Sequence, residues 1–401
     1  MKLTLWQTNN RGNLTEIKIP STLGNPKVPL YSLFEYWRDA VAGRPQRTID
    51  DVERCIKALD TLSSKKSAEQ LTREDFIAYR DKLVSEGKAP RTVKKDLSFV
   101  KAVMQHAYES RKIPANPAEK IKVVTPKGAR GLKRQLAADD LKALFNSPIY
   151  ESNERPKAGA GEAAAWVPLI GLYTGARLEE ICQLSVGDIQ CADGIHYFSI
   201  QLSDDEVAEG GIGKTLKNDE SRRSVPIHKK LIDTGFLHYV AHIKTSGKTW
   251  LFPDLKPDQY EKRGGNFTKW WSRWRSSLGV GGVHRCFHAF RHTFKTACRA
   301  ARIEEELHDA ITGHSGGGVG RSYGSFPLEA LNADIQLIDY KGLVCDWTWK
   351  APESISPAQS KITQTYNDRR IGQTIVSPPA LPSSLPTSYS FRRMIRNISV
   401  M

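Results

Sequence analysis

No stretch of this chain approaches the roughly eighteen consecutive apolar residues that a membrane-spanning helix needs, so insertion as a helical span is not expected. The first residues lack the apolar core of a signal peptide, because Lys2 is followed by the polar run from Gln7 to Asn13. No repeat of fixed period is visible, which sets solenoid and array folds aside. Cysteine is sparse and unpatterned. Its six copies (Cys55, Cys182, Cys191, Cys286, Cys298, Cys345) form no CxxC pair and lie in apolar or helical-looking stretches, as reduced core thiols do. These absences favour a reducing, cytoplasmic setting. Negative charge is also in deficit: 44 Asp and Glu face 59 Lys and Arg, a formal net charge of +15. That balance points to a polyanionic partner, nucleic acid first, rather than to an acidic small molecule.

At 401 residues the chain exceeds what one core usually supports. Residues 1–29 read as an extension with no sign of a folded module. From 30 to 117 the apolar spacing is helical, with Leu33, Phe34 and Trp37, then Val52, Ile56 and Leu59, and four amphipathic helices are expected. Thr72 and Asp75 form a capping-box pattern, Gly87 supplies a stop, and Pro114 and Pro117 close the segment. The fourth helix, Thr92 to Arg111, turns Leu97, Val100 and Met104 inward and offers Arg91, Lys94, Lys95 and Lys101 to phosphates. Residues 118–134, with Lys127 and Arg130 among Pro and Gly, read as an extended basic linker able to strap a duplex. A larger mixed region spans 135–341, with one short antiparallel sheet signalled by Asp193-Gly194 between two apolar alternations. From 342 to 401 the composition turns to Ser, Pro, Thr and Gln, and a disordered tail is expected. The fold class is therefore mainly α with a small antiparallel β-sheet (α+β), in two domains.

The chemistry-bearing residues fall in the second domain. Tyr173-Thr174-Gly175-Ala176-Arg177 is a turn opening a helix, with Glu180 three residues beyond Arg177 on the same face. Phe287-His288-Ala289-Phe290-Arg291 sets an imidazole and a guanidinium at i and i+3. Gly313-His314 is followed nine positions later by Tyr323. A metal reading of His284, Cys286, His288 and His292 is weaker, because the spacing fits no standard zinc pattern and Arg291 among the ligands would repel a cation. No metal and no cofactor are expected.

An Arg after a TG turn, a hairpin Lys, HxxR, then GH and a Tyr nine residues on, all in this order, resemble the tyrosine recombinase (phage integrase) family over roughly residues 30–340. The resemblance implies a two-domain clamp, a helical SAM-like core-binding domain and a mixed α/β catalytic domain closing on duplex DNA. It implies an enzyme that cleaves and rejoins DNA at attachment sites without metal or ATP. Tyr323 would be the nucleophile, forming a 3′-phosphotyrosine, and Arg177 and Arg291 the clamp on the scissile phosphate. Lys217 would protonate the 5′-oxygen, with Lys214 as the competing candidate. His288 would act as a general base or proton relay, and His314 as a donor to a non-bridging oxygen. Glu180 would support the neighbouring basic side chains.

As partners the resemblance implies duplex DNA, a homotetramer on it, and a DNA-bending or directionality factor, in a nucleoid-associated cytoplasmic protein serving a mobile element. Two rivals stand beside it. A type IB topoisomerase or telomere resolvase uses a similar residue set. A silent DNA-binding regulator would lack at least one of the six catalytic candidates, and all six positions are filled. Tyr340 is a formal rival nucleophile, and Leu328, Leu331, Ile335 and Ile338 form an apolar face open to packing in cis or on a neighbouring protomer.

Overall fold

Helical spacing places Leu30, Leu33, Phe34 and Trp37 on one face of α1 (Leu30–Ala40), and all four are buried. A computed structural model of the chain describes residues 5–8, 14–17, 28–41, 43–123, 135–201, 222–282, 285–314 and 326–351. Lys127, Arg130, Lys214, Lys217, Tyr323 and His284 lie outside the described residues, as does everything from 352 onward.

The N-terminal extension, expected to carry no folded module, contains an antiparallel pair, β1 (Leu5–Thr8) and β2 (Leu14–Ile17). Leu-Trp-Gln-Thr and Leu-Thr-Glu-Ile are four residues each and show no apolar–polar alternation to mark them as strands in the sequence. After α1 come α2 (Gln46–Leu62), α3 (Arg73–Ser85) and α4 (Pro90–Glu109), giving the four expected helices around one core. The backbone N–H of Thr72 donates to Asp75 Oδ2 at 2.8 Å, and Gly87 takes a positive φ of 73° after α3. Pro90 occupies the first turn of α4, where its missing N–H costs nothing. The helical core continues past residue 117: Ala118 and Ile121, expected in the extended linker, are buried in it. Basic side chains hold this segment by its carbonyls, Arg73 on Glu119 O at 2.7 Å and Lys101 on Ile121 O at 2.5 Å.

The second core is organised by α7 (Ala163–Thr174), in which every residue but Tyr173 is buried. A helix apolar all round is an interior helix. Sharing its core are α5 (Ala138–Phe145), α6 (Pro148–Glu151), α8 (Leu178–Cys182) and a three-stranded antiparallel sheet of β3 (Ile189–Ala192), β4 (Ile195–Ile200) and β5 (Arg223–Pro226), in that order. Asp193 (φ 48°) and Gly194 (φ 77°) form the two-residue hairpin turn, both with the positive φ that a type I′ connection requires. Then follow α9 (Lys229–Asp233), α10 (Phe236–Thr245), α11 (Gly264–Ser277), α12 (Ala289–Ala300), α13 (Glu305–Thr312) and α14 (Leu328–Ile335). At Gly171 a Cβ would lie 2.8 Å from the ring of Phe287, so the missing side chain lets the segment leading into α12 close on α7. The face of Leu331, Ile335 and Ile338 packs in cis on this core. Cys55, Cys182 and Cys298 are buried as expected of core thiols, whereas Cys191 and Cys286 are exposed.

One expectation is corrected at the C-terminus. Residues 342–351, assigned from composition to the disordered tail, lie on the catalytic core. Trp347 is edge-on to Trp166 at a centroid distance of 4.9 Å, and its Nε1 donates to Asn153 at 3.1 Å. Trp349 is edge-on to Tyr239, and its backbone N–H donates to the Thr234 carbonyl at 2.8 Å. Two large apolar rings outweigh the polar text around them, and a composition average over sixty residues hides them. Trp347→Ala should therefore lower the unfolding free energy by about 3 kcal/mol in urea titration, as large-to-small core truncations do. A change under about 1 kcal/mol would contradict the packing.

His228 ties the end of the sheet to this C-terminal segment. It is 1% exposed, its Nδ1 accepts from the Lys230 N–H at 3.0 Å, and its Nε2 faces the Ile338 carbonyl at 3.0 Å. One ring nitrogen must accept and the other donate, which fits only the neutral imidazole. Burial accordingly pushes its pKa down to about 4 from 6.5. The unfolded chain binds this proton first, so between pH 6.5 and 4 stability rises with pH, and the folded state is weakened as pH falls through that window. The full effect is about 3 kcal/mol. Urea titrations at pH 7 and 4.5 should show a loss in wild type that is smaller by most of this amount in His228→Gln.

Candidate active site

The site is assembled where three guanidiniums meet the C-terminal end of α13. That helix closes in a Schellman motif on Gly313 (φ 63°): the His314 N–H bonds the Asp309 carbonyl at 3.0 Å and the Gly313 N–H the Ala310 carbonyl at 3.3 Å. The next three carbonyls each take an arginine. Arg223 Nε donates to Ile311 O at 2.7 Å, Arg291 Nη1 donates to Thr312 O, and Arg177 Nη2 donates to Gly313 O at 3.1 Å. The negative end of the helix dipole favours cations there.

Each arginine arrives from a different element. Arg177 is the residue before α8, reached through a turn at Gly175 (φ 62°), where a Cβ would lie 2.9 Å from Phe294 and 3.0 Å from Thr312. Glycine is thus required both by the backbone and by the packing. Arg291 lies in the first turn of α12, 5% exposed, and also donates to the Gly175 carbonyl at 3.0 Å. Arg223 opens β5, its side chain 7% exposed.

Glu180 sits between two of them. Its Oε1 receives Arg177 Nη1 at 2.6 Å, and its Oε2 receives Arg223 Nη2 and the Arg177 backbone N–H, each at 2.8 Å. Burial would raise this carboxyl's pKa, but Arg223 and Arg177 outweigh burial and hold it below the usual range. Glu180 is therefore a buried counter-ion rather than a solvated surface charge. Arg291 is pushed down to about 10 by burial and by the positive charges of Arg177 and Arg223. Nearby, Lys295 Nζ bonds Asp309 Oδ1 at 2.5 Å. Among the described residues of this cluster, Arg177, Arg223, Arg291 and Lys295 face Glu180 and Asp309, so two positive charges remain in excess.

His314 follows directly, its Nδ1 3.7 Å from Asp309 Oδ2 and its side chain 56% exposed. His288 precedes α12 and is exposed, its ring edge-on to His292 at 5.1 Å. Tyr340 is removed as a rival nucleophile: its hydroxyl donates to the Leu172 carbonyl at 2.6 Å, and burial raises its pKa well above 10. Glu179, next to Glu180, receives the N–H groups of Arg263 and Gly264 at 2.9 Å each and fastens α8 to the start of α11.

The structure brings Arg177, Glu180 and Arg291 together with the His314 turn, and adds Arg223, which the sequence reading did not single out. Its signal was the inward place that strand alternation gives one of Arg222 and Arg223 ahead of the buried Val225. Of the proposed phosphate contacts, Arg91 and Lys94 are exposed on the first turns of α4, and Lys95 pairs with Asp51 at 3.2 Å. Lys101 is a correction: half-buried, with its pKa lowered by burial, it binds the Ile121 carbonyl instead of facing outward.

Residues 134–323 match the model of the Phage integrase family, a span that includes every arginine and histidine of the site. These residues form a domain of the Phage integrase family. Among curated relatives, the tyrosine recombinase XerD of Listeria innocua is 25% identical over 144 residues, 36% of this chain and 46% of the relative. XerD of Listeria monocytogenes is 25% identical over 139 residues, 35% and 44% of the two chains. The match thus spans less than half the length of these relatives. Among solved structures, the Tn1549 transposon integrase in complex with circular intermediate DNA has a TM-score of 0.54 at 17% identity, covering 77% of this chain and 99% of that one. A lambda integrase dimer bound to a COC' core site has a TM-score of 0.50 at 17% identity, covering 82% and 81%. At that identity the likeness is one of fold. No described helix is long and apolar enough to cross a membrane.

Removing Glu180 takes away the carboxylate that Arg177 and Arg223 share. Glu180→Ala should therefore cost about 3 kcal/mol of stability, the penalty typical of breaking one side of a buried ion pair. Urea unfolding with a cost under about 1 kcal/mol would show the pair to be solvated instead.

Proposed function

We propose that this protein is a site-specific DNA recombinase that integrates or excises a mobile element by cutting and rejoining duplex DNA through Tyr323. The observation that carries the reading is the convergence of three buried or half-buried guanidiniums, Arg177, Arg223 and Arg291, on one helix end inside a family-matched domain. A phosphodiester has one negative charge, and the pentacoordinate transition state of its attack has more. Fixed donors aimed where that charge develops stabilise it and need little reorganisation. Arg177 and Arg291 are the clamp, because planar guanidiniums bind two phosphate oxygens at once.

In the step so envisaged, the Tyr323 phenolate oxygen attacks phosphorus and the bond to the 5′-oxygen breaks, leaving a 3′-phosphotyrosine. Lys217, or Lys214 in its place, donates the proton that the 5′-oxygen takes up as it leaves. His288 receives the tyrosine proton, and His314 donates to a non-bridging oxygen. The reverse attack by a free 5′-hydroxyl restores the phosphodiester, so neither ATP nor a metal enters the balance. Arg91, Lys94, Lys95, Lys127 and Arg130 contact the duplex backbone from the helical domain and the linker. The similarly folded Tn1549 transposon integrase in complex with circular intermediate DNA, and the lambda integrase dimer bound to a COC' core site, support attachment-site DNA as the substrate. Assembly as a homotetramer, help from a DNA-bending or directionality factor, and residence on the nucleoid belong to the same reading.

The test uses nicked duplexes tiled across the DNA flanking the gene, incubated with the protein in EDTA and run on a denaturing gel. Wild type should form a covalent adduct, and Tyr323→Phe should bind the same duplex and form none. Arg291→Lys, which keeps the charge and loses the planar fork, should retain binding and cleave on the order of 100-fold more slowly. An adduct that survives in Tyr323→Phe, or equal cleavage by Arg291→Lys, would overturn the assignment.

A further inference from the structure

Arg223 belongs to neither the Arg177 turn nor the His288–Arg291 motif, yet it reaches the same cluster from the first position of β5. Its guanidinium bridges two elements: Glu180 of α8 at 2.8 Å and the Ile311 carbonyl of α13 at 2.7 Å. The space it occupies is made by Gly313, where a Cβ would lie 2.8 Å from Arg223 Nη1. A cation held this deep needs its counter-ion: burial lowers the Arg223 pKa, Glu180 opposes that, and Arg223 in turn helps hold the Glu180 carboxyl below its usual range.

The geometry points to Arg223 as a positioning residue for Arg177. Arginine and carboxylate left to themselves form a two-point fork. Here Arg223 and the Arg177 backbone N–H occupy Glu180 Oε2, so the Arg177 guanidinium meets the carboxylate through Oε1. Without Arg223 the carboxylate would turn and take Arg177 in a fork, drawing it off the line toward a phosphate. The same residue pins the last turn of α13, from which Gly313 holds the other edge of Arg177 and His314 emerges. Arg223 thus acts on the reaction through Arg177 and touches no reacting atom.

The proposal rests on the recombinase reading and is tested by single-turnover cleavage of the nicked duplex that the wild-type protein captures, per folded molecule, with DNA affinity measured beside it. Arg223→Lys keeps the charge, but one ammonium cannot span both Glu180 and the Ile311 carbonyl. It should slow cleavage by about 30-fold or more while duplex affinity changes by less than about threefold. In a background already carrying Arg177→Lys, the same substitution should change the rate by less than about threefold, because the side chain it positions is no longer an arginine. Equal slowing in both backgrounds, or an Arg223→Lys enzyme as fast as wild type, would overturn the proposal. Should Arg223→Lys fail to fold, Glu180→Gln reads the same linkage: slowing that vanishes with Arg177→Lys supports it, and slowing that persists overturns it. Wild type forming no adduct on any duplex would instead sink the recombinase reading itself.

Discussion

Three consecutive carbonyls at the end of one short helix, and one buried carboxylate, hold the positive charge of this site in place. Helix ends leave backbone carbonyls without partners, and in most proteins water or a capping side chain takes them. At the end of α13 a Schellman turn satisfies Asp309 and Ala310, and arginines from β5, α12 and the start of α8 take Ile311, Thr312 and Gly313 in order. Bringing three guanidiniums together out of water is unfavourable, as the pKa of Arg291 records, depressed first by burial and then by Arg177 and Arg223. Glu180 and the helix dipole offset that repulsion without cancelling it. We propose that this concentration of guanidiniums makes the cluster a receptor for a phosphate.

The rest of the second core serves this arrangement. The wholly buried α7 delivers Gly175, whose missing side chain lets α12 and α13 approach. Glu179 locks α8 to α11, so Arg177 stands on a fixed turn. Trp347 and Trp349 close the far side of the core over Trp166 and Tyr239, and His228 binds the sheet to the segment that leads there. Each contact is ordinary packing, and together they fix where four separate stretches of chain present their charges.

Much of this was legible in the sequence because it rests on local rules. The helical domain followed from apolar spacing and the Thr72 capping box, and the hairpin from Asp193-Gly194. Arg177, Glu180, Arg291 and the His314 turn were marked by short motifs whose members do converge. What stayed hidden depends on contacts between distant residues. Arg223 looked like one of several basic residues ahead of a strand, since nothing local says that a strand start will face a helix end 88 residues away. Lys101 looked like a phosphate contact because helical position shows exposure but not the carbonyl that a long side chain reaches. The two C-terminal tryptophans were masked by polar neighbours, and the β1–β2 pair by its brevity.

The central claim is that Arg177 and Arg291 receive the scissile phosphate while Arg223 stays on Glu180. A crystal structure of the Tyr323→Phe protein on a captured nicked duplex tests it most directly. The account predicts non-bridging phosphate oxygens within hydrogen-bond distance of Arg177 and Arg291, with the Arg223 to Glu180 contact intact. A phosphate seated away from this cluster, or an Arg223 that has left Glu180 to bind it, would contradict the account.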